Sequence, residues 1–222
     1  FFYTPTPASA ILSGLVGSEM CIRDSPDAGL GGRLGLKGSD GQAELARSRG
    51  AEDRSGPRLK SMLEYFSKIH RKGEVDLEWV TSRGRMGTDW IPNEMDGAVV
   101  VETHQSKGTT SASDTEDAVQ SMVGSEIDLL VYSGGDGTTR DIVASLSKLE
   151  SSEIPVIGVP SGVKMHSGCF ASSPKGAAEV LSSWINGDLL VSSTEVLDLD
   201  EDLYREGKCC LLYTSPSPRD QR

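Results

Sequence analysis

The chain is short of aromatic residues (5%), has only three histidines and four cysteines in 222 residues, and carries no apolar run approaching a membrane span. Few cysteines, with Cys169 and Cys209 at no ligand spacing, exclude a zinc module or a disulfide-stapled scaffold and fit a reduced, cytoplasmic setting. Basic residues are also in deficit, 22 against 33 acidic, for a formal net charge of −11. Such a charge excludes a general polyanion-binding surface, so neither nucleic acid nor a membrane is an expected partner. A nucleotide is still compatible, because backbone amides can supply a positive field locally.

What the chain has instead is glycine, 25 residues of it, placed at strand ends. The most informative run is Ser133-Gly134-Gly135-Asp136-Gly137-Thr138-Thr139-Arg140-Asp141, directly after the apolar stretch 127–132. Glycines there allow successive N–H groups to face an anion and a phosphate to approach the main chain. Thr138 and Thr139 would open a helix, whose unpaired N–H groups and dipole favour negative charge. Asp136 repels such a ligand unless it holds a magnesium ion or takes a proton from an attacking hydroxyl. Phosphoryl transfer is therefore the first functional expectation. A βα turn in which Asp136 only caps the helix is the plainer one.

Periodicity predicts a helix over 57–71 with Leu59, Met62, Leu63, Phe66 and Ile69 on one face, then strands over 75–80 and 97–102. A helix over 114–125, a strand over 127–132, a helix over 138–149, a strand over 155–159 and a helix over 174–186 with Pro174 at its start follow. Residues 191–199 read as a further strand. The β-α alternation predicts an α/β fold, a mostly parallel sheet with helices on both faces. Ligands of such sheets bind beyond the carboxyl ends of the strands, where the Gly134 turn and Gly158-Val159-Pro160-Ser161-Gly162 both fall.

Four motifs in order carry a family resemblance: PDAGLGGRLGLKGSDG at 26–41, GGDGTTRDI, IPVIGVPSGVKMHSGCFA at 154–171 and EVLDLDEDLYREG at 195–207. The series resembles the polyphosphate/ATP-dependent NAD kinases, the AcoX-type branch of the ATP-NAD kinase family, while GGDG alone is shared with lipid kinases and phosphofructokinases. The resemblance implies an NAD-kinase-like N-terminal domain, and a C-terminal β-rich domain that this chain lacks. It implies an NAD kinase that phosphorylates the adenosine ribose 2′-hydroxyl of NAD to give NADP, with ATP or inorganic polyphosphate as donor and Mg²⁺ bridging the phosphates. Asp136 would be the catalytic carboxylate. Gly134, Gly135, Gly137, Thr138 and Thr139, with Gly29, Gly31 and Gly32 of the first loop, would hold phosphate and nucleotide. Ser161, Gly162, Lys164 and His166 would lie near the acceptor. Ser25 stands where the family's first-loop motif has Asn. No metal ligand is assigned beyond a possible role for Asp136, and the full-length protein would be a homo-oligomer. Two other functions stay open: a kinase of another alcohol, and a non-catalytic nucleotide-binding regulator of the acetoin-catabolism type.

The ends of the chain read differently. LVGSEMCIRDS at 15–25 and CLLYTSPSPRD at 210–220 resemble translations of a transposase sequencing adaptor and of its reverse complement. The expected organisation is thus an adaptor-derived, disordered segment over 1–25, a nucleotide-binding α/β domain over 26–190, the start of a truncated C-terminal domain over 191–209, and a second adaptor-derived segment over 210–222. Such a fragment, without its first strand and second domain, would be inactive.

Overall fold

The computed structural model describes residues 18–24, 48, 52–70, 77–93, 95, 98–100, 110–162, 165–199 and 211–213. Five parallel strands form the central sheet: β1 (Ser18–Asp24), β2 (Leu77–Thr81), β3 (Ala98–Val100), β4 (Leu129–Gly134) and β5 (Val156–Pro160), in the spatial order 3-2-1-4-5. Four α-helices among the described residues cover it: α1 (Ser55–Ile69), α2 (Ala112–Val123), α3 (Asp136–Lys148) and α4 (Pro174–Ile185).

Alternation along each strand divides the interior in two. Leu129, Val131, Ile157 and Val159 join Trp79 against Leu59, Met62, Leu63 and Phe66 of α1 and Ala177, Ala178 and Leu181 of α4. Leu130 and Tyr132 point the other way, with Val80, onto Ala118, Val119 and Met122 of α2 and Ile142 and Leu146 of α3. α1 lies opposite α2 and α3 because crossovers are right-handed and the sheet grows first from β1 towards β3, then from β4 towards β5; α4, after the last strand, packs on the α1 face. That reversal puts a topological switch point between the carboxyl ends of β1 and β4. β4 ends there in Ser133-Gly134.

The helices begin where local chemistry starts them. Ser111 caps α2, its N–H donating to Asp114 Oδ2 at 2.8 Å, one turn before the predicted start. Ser173 caps α4, with Gly176 N–H donating to its Oγ at 3.0 Å and Pro174 at the first helical position.

Three expectations are corrected. The prediction that residues 1–25 take no part in the fold, and that the strand before Pro26 is missing, fails for Ser18–Asp24, which pairs in parallel with both β2 and β4. Sheet pairing is made by backbone N–H and C=O groups, so a reading of the nucleotide frame carries no information about it. Likewise β7 (Leu211–Tyr213), inside the second adaptor-like segment, pairs antiparallel with β6 (Leu197–Leu199). The strand predicted over 191–199 is confined to β6, with Leu190 and Val191 exposed ahead of it.

Leu130 is fully buried at the sheet centre. Leu130→Ala is expected to lower stability by about 2–5 kcal/mol, read as a lower urea midpoint with an unchanged slope. A loss below about 0.5 kcal/mol, the range of neutral surface changes, would contradict the packing described.

Candidate functional site

The site is built where β4 and β5 end side by side. Gly134 pairs with Pro160 in the ladder, and Ser161 N–H donates to Gly134 C=O at 3.1 Å, so the two glycine-rich turns leave the sheet together. They approach closely: a Cβ on Gly135 would stand 3.7 Å from the Gly162 Cα. Gly134 is excluded from bearing a side chain by the helix that follows it, since a Cβ there would lie 2.7 Å from Cβ and Oγ1 of Thr138. Gly137, in the first turn of α3, has open space where a Cβ would be. No side chain caps α3, leaving its first N–H groups and the positive end of its dipole at that opening.

Asp136 is buried, 6% exposed, and both its oxygens are held by the turn after β5. Oδ2 accepts the His166 N–H at 2.8 Å; Oδ1 accepts the Ser167 N–H at 3.0 Å and the Ser167 hydroxyl at 2.7 Å. A carboxylate offers about four lone-pair positions. Three are used by described residues, and among these none takes the remaining position, on Oδ2.

Two buried polar clusters fix the floor of the site. In the first, the Ser161 hydroxyl donates to Ser55 Oγ at 3.2 Å, that of Ser55 to Ser133 Oγ at 3.0 Å, and that of Ser133 to Ser55 C=O at 2.9 Å. These serines, each at most 1% exposed, pin the start of α1 to the ends of β4 and β5. Arg58 adds a bond from its guanidinium to Pro160 C=O at 2.6 Å. In the second, Thr139 Oγ1 donates to Gly135 C=O at 3.1 Å, which leaves it to accept from the Tyr132 hydroxyl at 2.5 Å; Cys169 Sγ lies 3.1 Å from that hydroxyl. Burial raises both acids, Tyr132 well above its ordinary value and Cys169 above that of a free thiol, so both are neutral donors at physiological pH.

The predicted residues thus divide. Asp136, Gly134, Gly135, Gly137, Thr138, Gly162 and His166 gather at the mouth of the two turns. Ser161 and Thr139 do not present their hydroxyls there, because both are turned into the buried clusters. Lys164, Gly29, Gly31 and Gly32 lie outside the described residues. Sequence reasoning missed Ser167, Ser55, Ser133 and Tyr132. Only Ser133 and Ser167 had a signal, each adjoining a quoted glycine turn.

Among the described residues no group of three His, Cys, Asp or Glu side chains is placed to hold a metal, and three of the Asp136 acceptor positions face N–H and O–H donors. No helix among them is long and apolar enough to cross a membrane.

A parallel sheet with a glycine-carboxylate turn opening a helix beside its switch point defines the class as an α/β domain. The family model described as the ATP-NAD kinase N-terminal domain matches residues 78–189, from β2 to just beyond α4, and the chain belongs to that family. Its members are kinases that take ATP as phosphoryl donor and NAD as substrate. No curated protein and no solved structure gives a significant match to the chain.

Two outcomes test this geometry. Gly134→Ala is expected to destabilise by about 1–3 kcal/mol through overpacking, whereas Gly137→Ala should stay within about 0.5 kcal/mol of the parent, as expected of an unobstructed site. Equal effects in thermal melts would contradict the assigned contacts. Because burial raises the Cys169 thiol, its alkylation by iodoacetamide at pH 7–8, followed by peptide mass mapping, should be slower than that of an ordinary exposed cysteine and should reach its plateau at a higher pH. Rapid labelling at pH 7 would oppose that assignment.

Proposed function

We propose that the protein is an NAD kinase transferring a phosphoryl group from ATP or polyphosphate to the adenosine ribose 2′-hydroxyl of NAD, giving NADP. The observation that carries this reading is Asp136, a buried carboxylate with one acceptor position left on Oδ2, set beside the uncapped start of α3. In this reading the acceptor hydroxyl donates to Asp136 Oδ2, which orients it and takes its proton as the new P–O bond forms and the donor's terminal P–O bridge breaks, releasing ADP or a polyphosphate shortened by one unit. The N–H groups of α3 around Gly137 and Thr138 hold phosphate oxygens, with the open space at Gly137 letting them approach the backbone. His166, exposed beside Asp136, adjoins the acceptor. Gly135 and Gly162 keep the two turns free of side chains, so donor and acceptor can meet in line.

The nucleotide-binding unit would run from β1 to about residue 190, and the acceptor pocket would be completed by structure following residue 191, beginning with β6. The AcoX-type branch is the proposed place within the family. Positioning and charge stabilisation dominate phosphoryl transfer, so this small set of reactive groups suffices.

Asp136→Asn in the full-length protein tests the reading. The amide keeps the size of the side chain but loses the basicity and half the acceptor capacity, so kcat for NADP formation should fall by about 10²–10⁴, with KM for ATP nearly unchanged. Parent-like turnover would reduce Asp136 to a turn residue. Activity on another alcohol, with none on NAD, would transfer the same machinery to a different acceptor.

A further inference from the structure

Ser167 is 5% exposed, although His166 and Gly168 on either side of it are exposed. Its burial has a definite cause. The hydroxyl is 2.7 Å from Asp136 Oδ1, and the same oxygen accepts the Leu197 N–H at 3.0 Å and stands 3.1 Å from the Leu197 C=O. One hydroxyl proton serves one acceptor, and the nearer, charged carboxylate is the stronger. Ser167 therefore donates to Asp136 while it accepts from β6. Around it Gly168 N–H donates to Glu195 C=O at 3.2 Å, and a side chain on Gly168 would collide with Thr194. The turn after β5 is thus held between the start of α3 and residues 194–197.

We propose that Ser167 is a positioning residue: it fixes Asp136 Oδ1 so that the free acceptor position of Oδ2 faces the reacting hydroxyl, and it couples that orientation to the seating of residues 194–197. Without the Ser167 hydroxyl the carboxylate keeps only the two N–H bonds. The Leu197 N–H then loses its partner, so both the rotamer of Asp136 and the attachment of β6 loosen. This inference rests on the reading of Asp136 as the carboxylate that meets the acceptor.

The test combines turnover with amide exchange in the full-length protein. Ser167→Ala should lower kcat about 10–100-fold, as loss of one hydrogen bond to a charged group would, while KM for ATP and for NAD stays near the parent value. Ser167→Thr, which retains the hydroxyl, should recover most of the loss. In an Asp136→Asn background Ser167→Ala should remove little more, because the group it positions is already disabled. Amide hydrogen exchange should speed at Leu197 and His166 in Ser167→Ala but not in Ser167→Thr. Full additivity of the two changes, or unchanged kcat together with unchanged exchange, would overturn the proposal. If Asp136→Asn itself retains turnover, the Asp136 reading has failed, and faster exchange at Leu197 alone would leave Ser167 a structural tie and overturn its positioning role. Should Ser167→Ala not fold, Ser167→Cys gives the same comparison, with a weaker donor and an intermediate loss expected; parent-like kcat there counts against the proposal.

Discussion

The Asp136 carboxylate, gripped by the backbone of residues 166 and 167, is the interaction on which the rest of the site depends. It joins two turns that the sheet only brings alongside each other. A buried carboxylate is costly unless its lone pairs are satisfied. Here three donors satisfy it and in return fix the loop that supplies them. The anion at the start of α3 also suits the helix dipole, so the position stabilises the charge before any ligand arrives. Removing the carboxylate would leave the buried Ser167 N–H without its partner, at a cost of about 1–3 kcal/mol, and would free the half-buried His166 N–H and the Ser167 hydroxyl to bond elsewhere.

Beneath that clasp the sheet supplies rigidity by division of labour. Ser133 and Ser161 end neighbouring strands and lock onto Ser55, while Tyr132, one residue earlier on β4, faces the opposite side and reaches Gly135 C=O through Thr139. The glycine turn is therefore held from both faces of the sheet. Polar ties of this kind specify one geometry because every partner is used; the hydrophobic layers beside them would tolerate small sliding. The glycines complete the arrangement by absence: Gly134 makes room for Thr138, and Gly158 makes room for Phe170.

Much of this was legible in the sequence, for reasons of periodicity. Leu59, Met62, Leu63 and Phe66 announce a helix face at their spacing, and all four are buried. The run 127–132 announces an apolar strand, and β4, buried along its length, both starts and ends two residues later, at Leu129–Gly134. Asp136 stood out because an anion among phosphate-binding glycines demands a reason. What periodicity does not encode is direction. Thr139 and Ser161 read as ligand hydroxyls, since nothing in a linear run says which side of a turn faces inward. Ser55 lies 78 residues from Ser133 and 106 from Ser161, so their cluster exists only in the folded chain. Strand β1 was missed for another reason: its residues were judged by nucleotide origin, and backbone pairing is indifferent to that.

The central claim is that Asp136 Oδ2 keeps its last acceptor position for a substrate hydroxyl. The most direct measurement is a crystal structure of the full-length protein with NAD and a non-hydrolysable ATP analogue. The account predicts the ribose 2′-oxygen about 2.6–3.2 Å from Asp136 Oδ2, the reach of a general base, with Oδ1 still bonded to Ser167. A bound NAD whose 2′-oxygen lies beyond hydrogen-bonding reach of Asp136, with phosphates away from the start of α3, would contradict it.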